Sequence, residues 1–197
     1  MRKTALCLLL AAVCCFGSAL AEEALPAYVY TGSDPVEAAV SAWTAQAGQS
    51  RFLTENGSVS IPAPVILKTE EADETHLRVY GDFWVFNYVL SGRTLTCISG
   101  GEIPAVLTLE KSGDGWTVAG AEEAGDGEDY AADLIRFSQG DPELEEGFFA
   151  ASDGDGDLVK NARHRWILDY VTANGLEAEA YQDYGWDPVP LTAVPGM

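Results

Sequence analysis

The chain has 197 residues, with 31 Asp+Glu against 11 Lys+Arg and a formal net charge of −20. That length suits one hydrophobic core, and that charge excludes partners that need clustered cations, namely nucleic acid and anionic lipid surfaces. Acidity of this order serves solubility, and it permits a cationic partner or a divalent metal without requiring either.

Arg2 and Lys3 precede an apolar run, Ala5 to Phe16, that closes in Ala19-Leu20-Ala21, a small-x-small cleavage pattern. Residues 1–21 therefore read as an export signal, and a secreted, extracellular or cell-surface location follows. The run falls short of the about 20 apolar residues that cross a bilayer, and no later segment reaches that length, so no membrane span is expected. Lipid attachment at Cys14 or Cys15 fits poorly, because Ala11-Ala12-Val13 lacks the Leu and the small residue that such signals carry. With Cys7, Cys14 and Cys15 removed, Cys97 is left without a disulfide partner, and its place in the apolar stretch Leu95 to Ile98 predicts a buried, inert thiol.

Residues 22–32 have no period and read as a flexible lead-in to a single domain over 33–197. At Ser33-Asp34-Pro35 a cap and a first-turn proline open a helix whose apolar positions are Val36, Ala39, Val40 and Trp43, and Gly48 reads as its stop. The period then switches to two. Strands are predicted over Val59 to Leu67, His76 to Leu90, Thr94 to Ile98, Ile103 to Glu110 and Trp116 to Glu122. Pro62 and Pro64 put the first at an edge, and turns at Ser91-Gly92 and Ser112-Gly113-Asp114-Gly115 join later ones. Helices follow over Tyr130 to Phe137, Pro142 to Ala150 and Leu158 to Ala173, the last capped by Asp157 and stopped at Asn174-Gly175. The fold class is α+β, with a curved antiparallel sheet packed against the N-terminal helix and the C-terminal helices.

Three groups of residues could carry function. The strand from His76 is apolar on both faces, and Tyr80, Asp82, Trp84 and Tyr88 share one of them. That face is either covered core or the wall of an aromatic ligand pocket with Asp82 as its polar anchor. Asp153-Gly154-Asp155-Gly156-Asp157 has the alternating carboxylates with which calcium loops begin, but Leu158 stands where the loop needs Gly and His164 where it needs a bidentate Glu. Calcium is the one cofactor this loop suggests, at weak affinity. Trp186 sits in a Pro-punctuated tail and is expected to dock onto the sheet. Catalytic inventory is thin: two histidines, no Gly-x-Ser-x-Gly, and no Cys-His signature.

The stretches Tyr80-Gly81-Asp82-Phe83-Trp84-Val85-Phe86-Asn87-Tyr88, Ser99-Gly100-Gly101-Glu102-Ile103-Pro104 and Tyr181-Gln182-Asp183-Tyr184-Gly185-Trp186-Asp187-Pro188-Val189 resemble an uncharacterised family of secreted proteins and lipoproteins of anaerobic Gram-positive bacteria. More distantly, Ile103 to Leu109 and Gly125-Asp126-Gly127 are similar to extracellular regions that accompany metallopeptidases resembling the β-lactam sensor. The chain has no His-Glu-x-x-His, so the likeness implies no proteolysis. Helix-then-sheet order resembles the NTF2-like and cystatin-like folds, an analogy of fold that does not fix function. These readings predict an exported, non-catalytic binding or accessory module for a small molecule or an extracellular protein. The alternative is an extracellular hydrolase of cell-wall or dietary glycans, which needs two carboxyls about 5–9.5 Å apart across a cleft.

Overall fold

The computed structural model describes residues 24–192; residues 1–21, read above as an export signal, with Cys7, Cys14 and Cys15, lie outside them. Helix α1 (Pro35–Arg51) opens at Asp34, whose carboxylate accepts from the amides of Val36 and Glu37 at 2.7 and 3.1 Å. The helix runs past Gly48, where the sequence predicts its end. Gly48 is buried, and a Cβ there would lie 2.4 Å from Cγ2 of Val85, so this glycine brings the helix close to the sheet.

Five strands follow: β1 (Val59–Asp73), β2 (His76–Ser91), β3 (Thr94–Gly101), β4 (Pro104–Ser112) and β5 (Gly115–Glu123). Strand β1 continues beyond Leu67 because its polar end, with Thr69, Glu70 and Glu71, pairs with Val79, Arg78 and Leu77. Backbone pairing, not apolar content, carries that extension. Helices α2 (Tyr130–Ser138), α3 (Pro142–Ala151) and α4 (Asp157–Ala173) come next, then short strands β6 (Ala180–Gln182) and β7 (Val189–Pro190).

Strand β2 organises the sheet. Strand β1 pairs with one edge of it, while on the other edge β4 takes His76 to Asp82 and β3 takes Val85 to Ser91. The neighbour order is β5-β4-β2-β3-β6-β7, and every pairing is antiparallel except β3 with β6. Pairing only with β2, strand β1 can hold Pro62 and Pro64, whose missing donors an edge tolerates. Register shifts at Ile66/Lys68, Asn87/Tyr88 and Thr108/Leu109 mark bulges, which bend strands and raise their twist.

Helices cover both faces. On one, Leu77, Val79 and Phe83 of β2 join Ala105, Leu107 and Leu109 of β4 against Ala39, Val40 and Ala47 of α1. On the other, Tyr80 packs with Leu134, Phe137, Leu144 and Phe148 of α2 and α3, and Phe86 and Tyr88 pack with Val159, Trp166, Ile167 and Tyr170 of α4. The lead-in is not a free tether from residue 24 onward. Leu25 is buried and donates its amide to the Gly57 carbonyl at 3.0 Å, Pro26 accepts from the Tyr170 hydroxyl at 2.8 Å, and Tyr28 and Tyr30 lie on Trp166. Two aromatic rings and a buried leucine hold this segment to α4.

Gly48→Ala separates close packing from a helix stop. In an exposed helix, alanine gains about 1 kcal/mol over glycine; against Val85 the added methyl overpacks, and urea unfolding should show a loss of about 1–2 kcal/mol. A more stable Gly48→Ala protein would contradict the close approach.

Candidate functional site

All four aromatic-face candidates lie under the helical layer. Tyr80, Asp82 and Tyr88 are buried, and Trp84 is half-buried. The Tyr80 hydroxyl donates to Glu70 at 3.1 Å and accepts from Nε2 of Gln139 at 2.9 Å. Trp84 stacks on Phe86 with centroids 5.8 Å apart and donates its Nε1 proton to the Ala151 carbonyl at 2.8 Å. The face holds the four together as a row along one strand, roofed by α2, α3 and α4.

Asp82 stands where β2 changes partner from β4 to β3. Its Oδ1 accepts from the Ile103 amide at 3.1 Å, a donor in the crossover between those two strands, and its Oδ2 lies 3.2 Å from Oγ of Ser152. The carboxyl of Glu102 is within hydrogen-bonding reach and accepts from the Tyr130 hydroxyl at 2.9 Å. Burial first, and the negative charge of Glu102 second, push the Asp82 pKa up to about 9. Asp82 therefore keeps a proton at neutral pH. A cleft of about 200 Å³ lined by Arg51, Glu102, Glu123 and Tyr130 reaches Glu102 from outside.

The second polar centre is Arg163. Its guanidinium forks onto both oxygens of Asp183 at 2.7 and 2.6 Å, its Nε donates to the Tyr88 hydroxyl at 2.7 Å, and its Cζ lies 3.9 Å from the Phe86 ring centroid. Hydrogen bonding to Arg163 holds Asp183 below its ordinary carboxylate range. The pair bolts the turn after β6 onto the aromatic face. In that turn the Trp186 amide donates to the Asp183 carbonyl at 3.1 Å, Gly185 takes φ +81°, and Gln182 donates to the Trp186 carbonyl at 2.6 Å. Trp186 does not dock on the sheet: Tyr184 is 95% exposed and Trp186 71%. The turn is fastened through Asp183, and both rings stand in solvent.

The acidic loop does not gather its carboxylates. Asp153 accepts from the Asp155 amide at 3.1 Å, Asp155 faces Lys160 at 3.8 Å, and among the described residues no three Asp, Glu, His or Cys groups converge as metal ligands. Gly156, not Asp157, is the N-cap of α4. The backbone supplies the reason: the Gly156 amide closes a turn onto the Asp153 carbonyl at 2.8 Å, so the helix begins one residue earlier. The loop also presses on the aromatic face, where a Cβ on Gly154 would sit 3.1 Å from Cη2 of Trp84. Cys97 is a free thiol, and burial raises its pKa to about 11, which keeps it protonated and unreactive at neutral pH.

Comparison with family models, with curated proteins and with solved structures finds no match. Glu102, Tyr130 and Ser152 carry no sequence signal tying them to Asp82, and the Arg163–Asp183 pair spans 20 residues. Asn87 did leave a trace, as an amide inside an apolar strand. It is buried, accepts from Ser60 at 2.5 Å, and donates to the Leu53 carbonyl at 3.0 Å and Ser99 at 2.9 Å, tying β1, β2 and β3 to the chain that leaves α1. No helix among the described residues is long and apolar enough to cross a membrane.

Asp82 predicts a pH signature. Because its folded pKa lies above the unfolded value, the folded state holds a proton that the unfolded chain releases, and stability falls as pH rises from about 4 to about 9, by at most about 1.4 kcal/mol per pH unit. Asp82→Asn removes this loss, so chemical denaturation from pH 5 to 8 should show the variant gaining on the wild type as pH rises. Parallel stability curves would contradict a proton held at Asp82.

Proposed function

We propose that this chain is an exported, non-catalytic binding module that recognises a basic extracellular protein surface through the turn bearing Tyr184 and Trp186. The observation that carries the reading is the pairing of two exposed aromatic rings with a half-buried, forked ion pair that fixes the turn beneath them. Rigid aromatic side chains are favoured binding anchors, because they offer large contact area at little entropic cost. The charge of −20 selects the partner's sign. Export rests on the amino-terminal pattern ending in Ala19-Leu20-Ala21.

Support for the glycan-hydrolase alternative is thinner. Its two carboxyls must stand about 5–9.5 Å apart across a cleft, whereas Asp82 and Glu102 are within hydrogen-bonding reach of each other and Asp82 is buried. Asp82 also has a structural task, since the Ile103 amide depends on it.

An oligoarginine peptide serves as a probe of the basic surface, titrated against wild type and Tyr184→Ala/Trp186→Ala at fixed ionic strength. The double variant carries the same charge, so loss of two cation–π contacts at about 0.5–1 kcal/mol each should weaken binding about fivefold to thirtyfold. Its melting temperature should stay that of the wild type, since both rings are exposed. Equal affinity for the two proteins would contradict recognition through this turn.

A further inference from the structure

A different part of the molecule holds an open cleft of about 420 Å³, between the outer strands and the end of α2. Its floor is a row across three strands: Arg78 of β2 is registered with Thr108 of β4, and Thr108 with Gly120 of β5. The end of α2 overhangs this row, with Phe137 as an apolar wall and Arg136 and Gln139 on the rim. Gly120 has nothing within 4 Å of the position its Cβ would take, so the floor there is open.

Arg78 is the unusual member. Arg51, Arg93, Arg136, Arg163 and Arg165 each meet a carboxylate, whereas Arg78 makes no ion pair among the described residues. In a chain with 31 acidic residues, this exposed guanidinium, registered with Glu70 of β1 yet not ion-paired, keeps its fork free for a planar anion. Gln139 stands on the rim beside it. It is the exposed C-cap of α2, at the left-handed φ of 54° with which helices commonly end, and its amide donates to the Tyr80 hydroxyl. One N–H of that amide is used there, and its remaining N–H and its oxygen have no hydrogen-bond partner among the described residues.

The surroundings limit the anion. Glu122 lies on the rim, ion-paired with Arg136, and the whole chain repels multiply charged anions. Val106 and Phe137 offer apolar contact beside the guanidinium, and the volume falls in the range of small-molecule sites. We propose that this cleft binds a small organic monocarboxylate, with its carboxylate on Arg78 and its apolar body over Gly120 between Val106 and Phe137. Gln139 orients the carboxylate through its free N–H. The site is separate from the Tyr184–Trp186 turn and does not depend on the function proposed for it.

The test titrates benzoate and phenylacetate, with benzamide as the uncharged control, into isotope-labelled protein to about 10 mM, a level at which an efficient small fragment occupies a fitted site. The acids should shift the amides of Thr108, Gly120, Ala121 and Gln139, and benzamide should not. Arg78→Gln, at an exposed position, should weaken benzoate at least tenfold. Gly120→Val should block it while leaving the spectrum of α1 and β3 unchanged. Tyr184→Ala/Trp186→Ala should bind benzoate like the wild type, which separates this site from the turn. The proposal is overturned by benzamide binding as well as benzoate, by Arg78→Gln binding like the wild type, or by the absence of shifts at these amides for either acid.

Discussion

Strand β2 has no face that water can have. Leu77, Val79, Phe83 and Val85 alternate with Tyr80, Trp84, Phe86 and Tyr88, so leaving either side bare would expose a continuous apolar row. The two-layer solution open to most antiparallel sheets is therefore closed to this one, and the chain builds three layers: α1, the sheet, and α2 to α4. The placement of Gly48 follows from the first contact, and the docking of residues 24–32 on α4 completes the second.

Covering both faces buries polar groups, and each has found a partner; among the described residues no buried side-chain polar atom lacks one. Asp82 satisfies the amide at the sheet's branch point and keeps a proton, which avoids placing a bare charge in the core. Arg163 meets its desolvation with a forked carboxylate and the faces of Phe86 and Tyr181. With Arg163 largely covered and Asp183 half-exposed, the pair is partly screened by water and is better understood as a positional device than as a source of stability. It fixes a carboxy-terminal turn that has little packing of its own.

Much of the fold was legible because its signals are local. Asp34-Pro35 and Asp141-Pro142 both cap helices through the aspartate, and Gly92 and Gly113 turn hairpins at φ +62° and +60°. The two-faced alternation of β2 is also local, and it narrows the aromatic face to covered core or pocket wall. What stayed hidden depends on neighbours distant in sequence. Gly48 reads as a stop until Val85 stands opposite, and Lys68 to Asp73 lies beyond the predicted strand until β2 pairs with it. Trp186 was expected to dock, since an isolated aromatic in a tail looks like an anchor; the anchor is Asp183, through an arginine 20 residues earlier. Of the aromatic row, the sequence located the residues and their shared face, but whether helices roof that face depends on how α2, α3 and α4 meet it, which no local pattern encodes.

A filled aromatic layer, with recognition displaced to the outside, is the claim on which the rest stands. Native-state hydrogen exchange along β2 tests it most directly. The account predicts that the amides from Val79 to Tyr88 exchange only through global unfolding, with the same denaturant dependence as the whole domain. Exchange of these amides through a smaller opening, in which α2 to α4 lift while α1 stays protected, would contradict it and make the row a gated pocket.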